Sequence, residues 1–251
     1  MNAAKALALP AAMLVLAEIG GRAAAPSDSI APPSQIAVAF VQALADGSLV
    51  AATRDTLLSA FGGLAIGASL GLALGILLGS VSALDRLLEL ALELMRPIPS
   101  VAVIPVALVA LGFGYRLEIV IVAYACFWPL MILSRAAVGG VEPRLIEVAR
   151  ALRLSPVQRT VKIVAPAALP RIFVAFRLAA GISLIVAVTV EIAVNPQGLG
   201  YEVMAAGQAL RPELMLAYLA WIGVVGFALN ALLVLAQTRL FGQAARTEAP
   251  R

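Results

Sequence analysis

Six long apolar stretches dominate the sequence and restrict it to a membrane fold. They cover roughly residues 4–20, 56–81, 97–113, 119–138, 172–194 and 214–238. A transmembrane helix needs about 20 mainly apolar residues, and 62% of this chain is apolar while only 13% is charged. Because a bilayer offers no partner to backbone N–H and C=O groups, each stretch is predicted to be a helix. The predicted fold is therefore an all-α integral membrane protein with about six spans.

A charged interval, residues 141–171, separates the fourth and fifth stretches. Between Arg135 and Arg177 the chain carries eight basic residues, opposed only by Glu142 and Glu147. Charges are costly at the bilayer centre and basic loops favour the cytoplasm. With both termini placed in the cytoplasm, fourteen of the 18 basic residues fall on that side. The basic excess thus encodes orientation in the membrane, and nucleic-acid binding is not expected.

The spans divide the chain into four parts. We predict a first transmembrane helix at 1–25, a periplasmic segment at 26–55, a transmembrane core at 56–240 with a cytoplasmic loop at 139–171, and a cytoplasmic tail at 241–251. The periplasmic segment is predicted to hold a short amphipathic helix from Ser34, as N-cap, to Ala45. The alternative for residues 4–20 is a cleaved signal peptide, since Lys5 precedes an apolar core, but Glu18 argues against it.

The second span carries a regular row of glycines. They recur at every fourth position, which places them on one helix face: Gly63, Gly67, Gly71, Gly75 and Gly79. Small residues in such a row let a second helix approach closely in lipid. Glycine is also common in membrane helices generally, but the strict spacing favours a packing surface. The spacing does not identify the partner helix.

Four other residues are candidates for a transport pathway or gate, namely Pro97, Pro99, Trp128 and Glu191. Residues 84–96 are predicted to form an amphipathic interfacial connector, and the prolines after it to kink the third span. Either the kinked helix lies beside a water-lined pathway, or the prolines cap the start of the helix and the kink is only structural. Glu191 is an acid inside an apolar stretch, which is functional by default. A structural role for Glu191 is favoured, as a hydrogen-bond partner of Thr189, of Asn195 or of backbone groups of the turn at 198–201. The single cysteine, Cys126, and the lack of histidine give no basis for a metal site.

The charged interval itself is predicted to be a helix–turn–helix. Leu145, Val148, Ala149 and Leu152 have the spacing of one helix face. Ser155-Pro156 is expected to break this helix and cap the next, which Pro166 and Pro170 would end. By physical chemistry alone, the pair could bind a protein partner or only lipid headgroups.

Residues 147–166 resemble the EAA loop of ABC-importer permeases, E-A-A-x3-G-x9-I-x-L-P. The spacing agrees throughout, and Glu147, Ala149, Ile163 and Pro166 agree in identity. Val148, Arg153 and Ala165 replace the alanine, glycine and leucine of the pattern. The stretches 96–114, 167–183 and 191–201 also resemble the nitrate/sulfonate/taurine-type permeases, so that the likeness covers roughly 30–240. Arg153 is the main departure, because the family glycine permits a tight turn there.

The resemblance implies a half-transporter that imports a small anion. In a bacterial cytoplasmic (inner) membrane, two permease chains, expected to be a homodimer, would form the pore. Two cytoplasmic ABC ATPase subunits and a periplasmic or lipid-anchored solute-binding protein would complete the assembly. ATP and Mg²⁺ would bind the ATPase subunits and not this chain. The residues implied to meet the ATPase are Glu147, Val148, Ala149, Arg150, Leu152, Arg153, Ser155, Ile163 and Pro166. Two alternatives remain open: a secondary transporter, or a membrane scaffold with a lipid-binding loop.

Overall fold

The computed structural model describes residues 3–23 and 30–241, and the secondary structure in these ranges is helical, with no strand. The α-helices in chain order are α1 (Ala3–Ala23), α2 (Pro33–Ala45), α3 (Ser48–Ser80), α4 (Ser82–Met95), α5 (Ile104–Leu111), α6 (Tyr115–Gly139), α7 (Pro143–Ala151), α8 (Pro156–Arg159), α9 (Ala165–Ala193), α10 (Gly198–Gln208) and α11 (Pro212–Phe241). A 3-10 turn, Ser100–Val103, precedes α5, and a π-turn, Thr160–Val164, joins α8 to α9. The prediction of an all-helical chain is confirmed.

The centre of the fold is the pair α3 and α6, which pack along the glycine row. A methyl group added at Gly71 would lie 2.7 Å from the carbonyl oxygen of Phe127, and one at Gly75 would lie 2.5 Å from that of Met131. Gly63, Gly67 and Gly79 face α6 in the same way. The two backbones are thus closer than any side chain at these positions would permit.

The order of these contacts gives the relative direction of the helices. Residue numbers rise together along α3 and α6, from Gly63 beside Ile119 to Gly79 beside Arg135, so the two helices are parallel. Helix α9 is antiparallel to α6, because Ile172 packs with Val138 near one end and Asn195 bonds to Glu118 near the other. Parallel neighbours require the chain to return between them, and residues 81–114 make that return.

This return is bent, and it differs from the predicted third span. Helices α4 and α5 meet at 79°, and Pro97 and Pro99 lie in the non-α corner between them. The α-helix after the prolines is only eight residues long, so the prediction of one kinked span over 97–113 is wrong. Helix α4 also packs Leu84, Leu88 and Leu92 against α3 and α6, and it is therefore more than an interfacial connector. Proline cannot donate a backbone hydrogen bond, which explains the break.

Four described helical segments are long and apolar enough to cross a membrane, and five if the bent pair is one span. They contain α3, α6, α9 and α11. The core between α3, α5, α6 and α9 holds Leu64, Ile104, Ile121, Leu130 and Ala179, all buried. Helix α11 lies at the edge of this bundle, with only 6% of its apolar window buried.

The prediction that Pro166 and Pro170 end the second helix of the loop is wrong. Both prolines lie within helix α9, which continues from α8 through the π-turn. Pro166 has no N–H to bond the carbonyl four residues back. The residue before it, Ala165, donates its N–H to the Thr160 carbonyl, five residues back, which is the hydrogen-bond pattern of a π-helix. A π-turn has one residue more than an α-turn, so the residues after it lie on a different side of the helix. Val157 and Val161 are accordingly exposed, whereas Val164 is buried.

Helices α1 and α2 meet at the start of α2. The helix begins at Pro33 with Pro32 as its N-cap, so the prediction of Ser34 as the cap is wrong. The Glu18 carboxylate of α1 instead accepts from the Ser34 N–H at 2.9 Å and from its hydroxyl at 2.7 Å. After α2, Gly47 takes a left-handed φ of 81°. The Ser48 N–H then donates to Asp46 and lowers the pKa of that carboxyl. The next span begins at Ser48, and so includes the last residues of the predicted segment 26–55.

Candidate functional site

The candidate site is the loop at residues 139–171, whose first helix is α7. Pro143 occupies its first turn, where proline is well tolerated. The Ala149 side chain is fully buried within the chain, and Ile146 is half-buried beside it. Val148 is 50% exposed and Leu152 is 63% exposed. One side of α7 therefore rests on its own chain, and the other presents apolar side chains next to Glu147 and Arg150, both exposed.

The turn after α7 is a Schellman motif built on Arg153. The Arg153 N–H donates to Arg150 at 2.9 Å, and the Leu154 N–H donates to Ala149 at 3.1 Å. In this motif the residue after the helix cap is left-handed, and that residue is usually glycine. Arg153 has a φ of 50°. The turn that glycine would permit is thus formed by an arginine, at a backbone cost of about 1 kcal/mol.

The second helix of the loop starts with a capping box. Ser155 accepts from the Gln158 N–H through its hydroxyl, and Gln158 accepts from the Ser155 N–H through its side chain. This reciprocal pair satisfies two N–H groups that a helix start would leave unbonded. The prediction of a Ser155 cap is confirmed. Because the helix then continues into α9, the tip of the loop is joined to a membrane-spanning helix without a flexible linker.

The guanidinium groups of the loop have few intramolecular partners. Arg144 is 3.9 Å from Glu142, in a pair that is largely exposed. Among the residues that the structure describes, Arg150, Arg153 and Arg159 make no side-chain hydrogen bond or ion pair. The remaining expected site residues, Ile163 and Pro166, are half-buried and exposed respectively. The loop is therefore a folded, basic surface on which Arg150, Arg153 and Arg159 are available to another molecule.

A second polar cluster lies at the opposite end of the bundle, where α6 begins and α9 ends. We call it the distal network, and its members are Thr56, Gly114, Glu118, Glu191, Asn195, Leu199 and Gly200. The Gly114 N–H donates to the Asn195 side-chain oxygen at 2.6 Å, and the Asn195 amide donates to Glu118. The Leu199 N–H donates to the Thr56 hydroxyl at 2.8 Å. These bonds join α3, α6, α9 and α10.

Glu191 fixes the turn that leads into α10. Its carboxylate accepts from the Gly200 N–H at 2.8 Å and is almost fully buried. Gly198 has a φ of 87°, and a side chain there would overlap the same carboxylate. This geometry matches the structural role that the sequence favoured for Glu191, and it explains why two glycines flank Leu199.

The other pathway candidates are not brought together. Pro97 and Pro99 are exposed in the corner between α4 and α5. Trp128 is buried in a cluster with Tyr124 and Phe127, whose rings contact it edge to face. Glu191 belongs to the distal network. No common cavity with these four residues in its wall is among the described pockets.

The sequence did not identify two groups of residues. Glu118 and Asn195 lie just outside the apolar stretches at 119–138 and 172–194, yet both are buried in the distal network. Arg135 of α6 bonds to Asp85 of α4 at 2.6 Å. A signal existed for this second group, because an arginine near the end of an apolar span needs a partner, and Asp85 is an acid of the amphipathic segment 84–96 that precedes this span.

Comparison with known proteins places the chain in a family. The profile described as "Binding-protein-dependent transport system inner membrane component" matches residues 67–246. This chain belongs to that family. It is an inner-membrane, multi-pass permease of the ABC-importer type, as the sequence resemblance predicted.

Among relatives of this permease is the protein named "Putative aliphatic sulfonates transport permease protein SsuC" of Bacillus subtilis (strain 168). It is 30% identical over 237 residues, which are 94% of this chain and 86% of the relative. The taurine transport system permease protein TauC of Escherichia coli (strain K12) is 31% identical over 154 residues, 61% of this chain and 56% of TauC. The nitrate import permease protein NrtB of Leptolyngbya laminosa is 29% identical over 141 residues, 56% of this chain and 50% of NrtB.

Two solved structures share the fold of this permease. A chain of the MetNI methionine ABC transporter, in an inward-facing form, has a TM-score of 0.65 at 23% identity and covers 78% of this chain and 94% of its own. A chain of an amino acid ABC transporter has a TM-score of 0.61 at 21% identity and covers 80% of this chain and 98% of its own. At these identities the likeness establishes the helical arrangement alone.

Proposed function

We propose that this permease forms the substrate pathway of an ATP-driven importer of a small anion and couples ATPase closure to inward/outward switching. The candidate substrates are nitrate, an alkanesulfonate, taurine or a related compound. The proposal takes its substrate class from the names of the relatives, which refer to aliphatic sulfonates, taurine and nitrate.

The observation that supports coupling is the construction of the loop at 139–171. Its first helix exposes Glu147 and an apolar face. Its second helix continues through the π-turn into α9, and α9 carries Glu191 of the distal network at its far end. A push on the loop by a partner would move α9 as a lever, since no flexible segment lies between them. Val148, Leu152 and Arg153 would touch the partner directly, whereas the buried Ala149 would support them from within.

The proposed assembly has two copies of this permease, two ABC ATPase subunits that bind ATP and Mg²⁺, and a solute-binding protein outside. The proposed topology adds α1 as a first span to the five passes formed by α3, the α4–α5 pair, α6, α9 and α11. Six spans leave both termini in the cytoplasm and the loop at 139–171 on the same side. The parallel direction of α3 and α6 agrees with this alternation.

The experiment is a charge reversal at Glu147 in the assembled transporter. Glu147→Arg should abolish co-purification of the ATPase subunit and ATP-driven uptake, while the amount of folded permease stays the same. Glu93→Arg is the matched control, because Glu93 is also exposed but lies on α4 outside the loop. If Glu147→Arg retains both the ATPase and the uptake, the coupling proposal is wrong. Binding assays on the cognate solute-binding protein with nitrate, alkanesulfonates and taurine would identify the substrate.

A further inference from the structure

A groove lies where the loop at 139–171 meets the end of α3. It has a volume of about 340 Å³, and its walls include Ala73 and Leu77 of α3 on one side and Val157 and Val161 on the other. A smaller cavity of about 190 Å³ adjoins it beneath the loop. Ser80, Arg159 and Thr160 line both spaces. The polar side chains therefore stand at the inner end of an apolar groove.

Two of these polar groups have no partner in the described part of the chain. Arg159 is half-buried and makes no side-chain hydrogen bond or ion pair there. The Ser80 hydroxyl oxygen is buried and has no hydrogen-bond partner. The Thr160 hydroxyl, by contrast, donates to the Pro156 carbonyl at 3.1 Å. A buried donor without a partner, such as the Ser80 hydroxyl, is unfavourable and needs an explanation. Arg159 is only half-buried and lines both spaces, so its guanidinium can be reached by a ligand. An anion at the junction of the two spaces would supply the missing partner to both groups.

The exposed apolar side chains of the groove wall favour a ligand that carries an apolar group next to that anion. Leu77, Val157 and Val161 are 46%, 73% and 64% exposed, although they are large apolar residues. Val157 and Val161 belong to a basic loop, where such exposure is unfavourable in water. A membrane lipid provides both parts, an acyl chain for the apolar wall and a phosphate for the guanidinium. Basic pockets beside the cytoplasmic ends of membrane helices have this chemistry.

We propose that this groove binds an anionic phospholipid, with its phosphate on Arg159 and Ser80 and an acyl chain along Leu77, Val157 and Val161. The phosphate accepts hydrogen bonds from the guanidinium and from the serine hydroxyl, so that both unpaired groups are satisfied. The lipid then bridges α3 and α8, and it steadies the loop against the end of a span. Assignment to the cytoplasmic leaflet rests on the proposed topology, but the binding itself does not.

Native mass spectrometry of the full-length permease in detergent tests the proposal without any transport readout. Phosphatidylglycerol and phosphatidylethanolamine are titrated separately, and phosphatidylglycerol is expected to bind at lower concentration. Arg159→Gln should weaken phosphatidylglycerol binding about tenfold, as expected for loss of a charge-assisted hydrogen bond. Arg150→Gln is the matched control, since it removes the same charge from an exposed position of the loop outside the groove. It should leave binding unchanged.

Two further variants separate charge from shape. Val157→Trp fills the groove from an exposed position, and it should weaken phosphatidylglycerol binding with no change of charge. Arg159→Lys keeps the charge but loses the planar fork, so intermediate affinity is expected; it also serves if Arg159→Gln fails to fold. Each variant is compared by its elution profile in size-exclusion chromatography before binding is measured.

Several results would overturn the lipid site. Equal phosphatidylglycerol binding by the wild type and Arg159→Gln would show that Arg159 holds no phosphate. Equal losses in Arg159→Gln and Arg150→Gln would indicate diffuse attraction to the basic loop. Displacement of the lipid by an equal concentration of inorganic phosphate would indicate a free-anion site. Disulfide cross-linking of Leu77→Cys to a second permease chain would show that protein covers the groove.

Discussion

The two ends of the bundle are held together in different ways. At the distal end, Glu118, Glu191 and Asn195 are almost fully buried. Asn195 bonds to Gly114 and Glu118, far away in the sequence, and Glu191 joins the end of α9 to the start of α10 through Gly200. At the loop end, the bonds of the Arg153 turn and of the Ser155 capping box are local, within a few residues. The distal end therefore uses its polar groups to join helices. The loop end stabilises its own shape and leaves Arg150, Arg153 and Arg159 without partners among the described residues. Substitutions should act on stability at the distal end and on partner binding at the loop end.

The largest loss of stability is expected for Gly198→Ala in the distal network. The new side chain would have a φ of 87° and would overlap the Glu191 carboxylate. Backbone strain of about 1 kcal/mol and overpacking of about 1–3 kcal/mol then add. Gly47→Ala is the matched control, because Gly47 has a φ of 81° but open space around it. The midpoint of thermal unfolding in detergent should fall clearly further for Gly198→Ala than for Gly47→Ala. Equal falls would contradict the role of Glu191 in fixing the turn into α10.

A smaller loss is expected for Asn195→Ala. The change leaves the Gly114 N–H and the Glu118 carboxylate without their shared partner. Glu118 is buried, and one buried group left unpaired costs about 1–3 kcal/mol. The half-buried Gly114 N–H adds less, because water can reach it. The nearby Gln197→Ala is the control, since the Gln197 side-chain nitrogen is buried without a partner and its removal should cost little. Thermal unfolding of both variants gives the answer. If Asn195→Ala were as stable as Gln197→Ala, the distal network would not stabilise the bundle.

The sequence predicted local features well and long-range pairing poorly, and these regions show why. The glycine row is a periodic pattern, so its face could be deduced, but its contact with α6 depends on three-dimensional packing. The Ser155 cap needs only neighbouring residues. Glu118 and Asn195 resembled loop residues because they stand next to turns, and only the folded bundle buries them. Pro166 and Pro170 have a strong local tendency to end a helix, but the π-turn and the surrounding helices accommodate both.

A gain of stability is expected for Arg153→Gly at the loop end. Arg153 has a left-handed φ of 50° and makes no side-chain bond with the described residues, so glycine should relieve about 1 kcal/mol of strain. Leu210→Gly is the control, because Leu210 has a φ of 56° in a similar turn after α10. The unfolding midpoints of both variants should rise. If Arg153→Gly also lowers co-purification of the ATPase subunit while Leu210→Gly does not, Arg153 contributes to binding that subunit although its backbone conformation is strained. A lower midpoint for Arg153→Gly would instead reveal an intramolecular role.

The smallest effect is expected for the ion pair between Arg135 and Asp85, which lies on the loop-end half of the bundle but joins two helices. The pair is 2.6 Å apart, and its side chains are 31% and 24% exposed. A partly exposed pair of this kind contributes about 0.2–1 kcal/mol. Asp85→Asn should therefore lower the unfolding midpoint only slightly, and this loss should shrink as salt is raised. Glu89→Gln tests the longer contact of 3.6 Å to the same arginine and should change less. If Asp85→Asn lowered the unfolding midpoint as much as Asn195→Ala, long-range polar bonds would stabilise both ends of the bundle to a similar degree. The difference between long-range and local bonding would then be confined to the loop at 139–171.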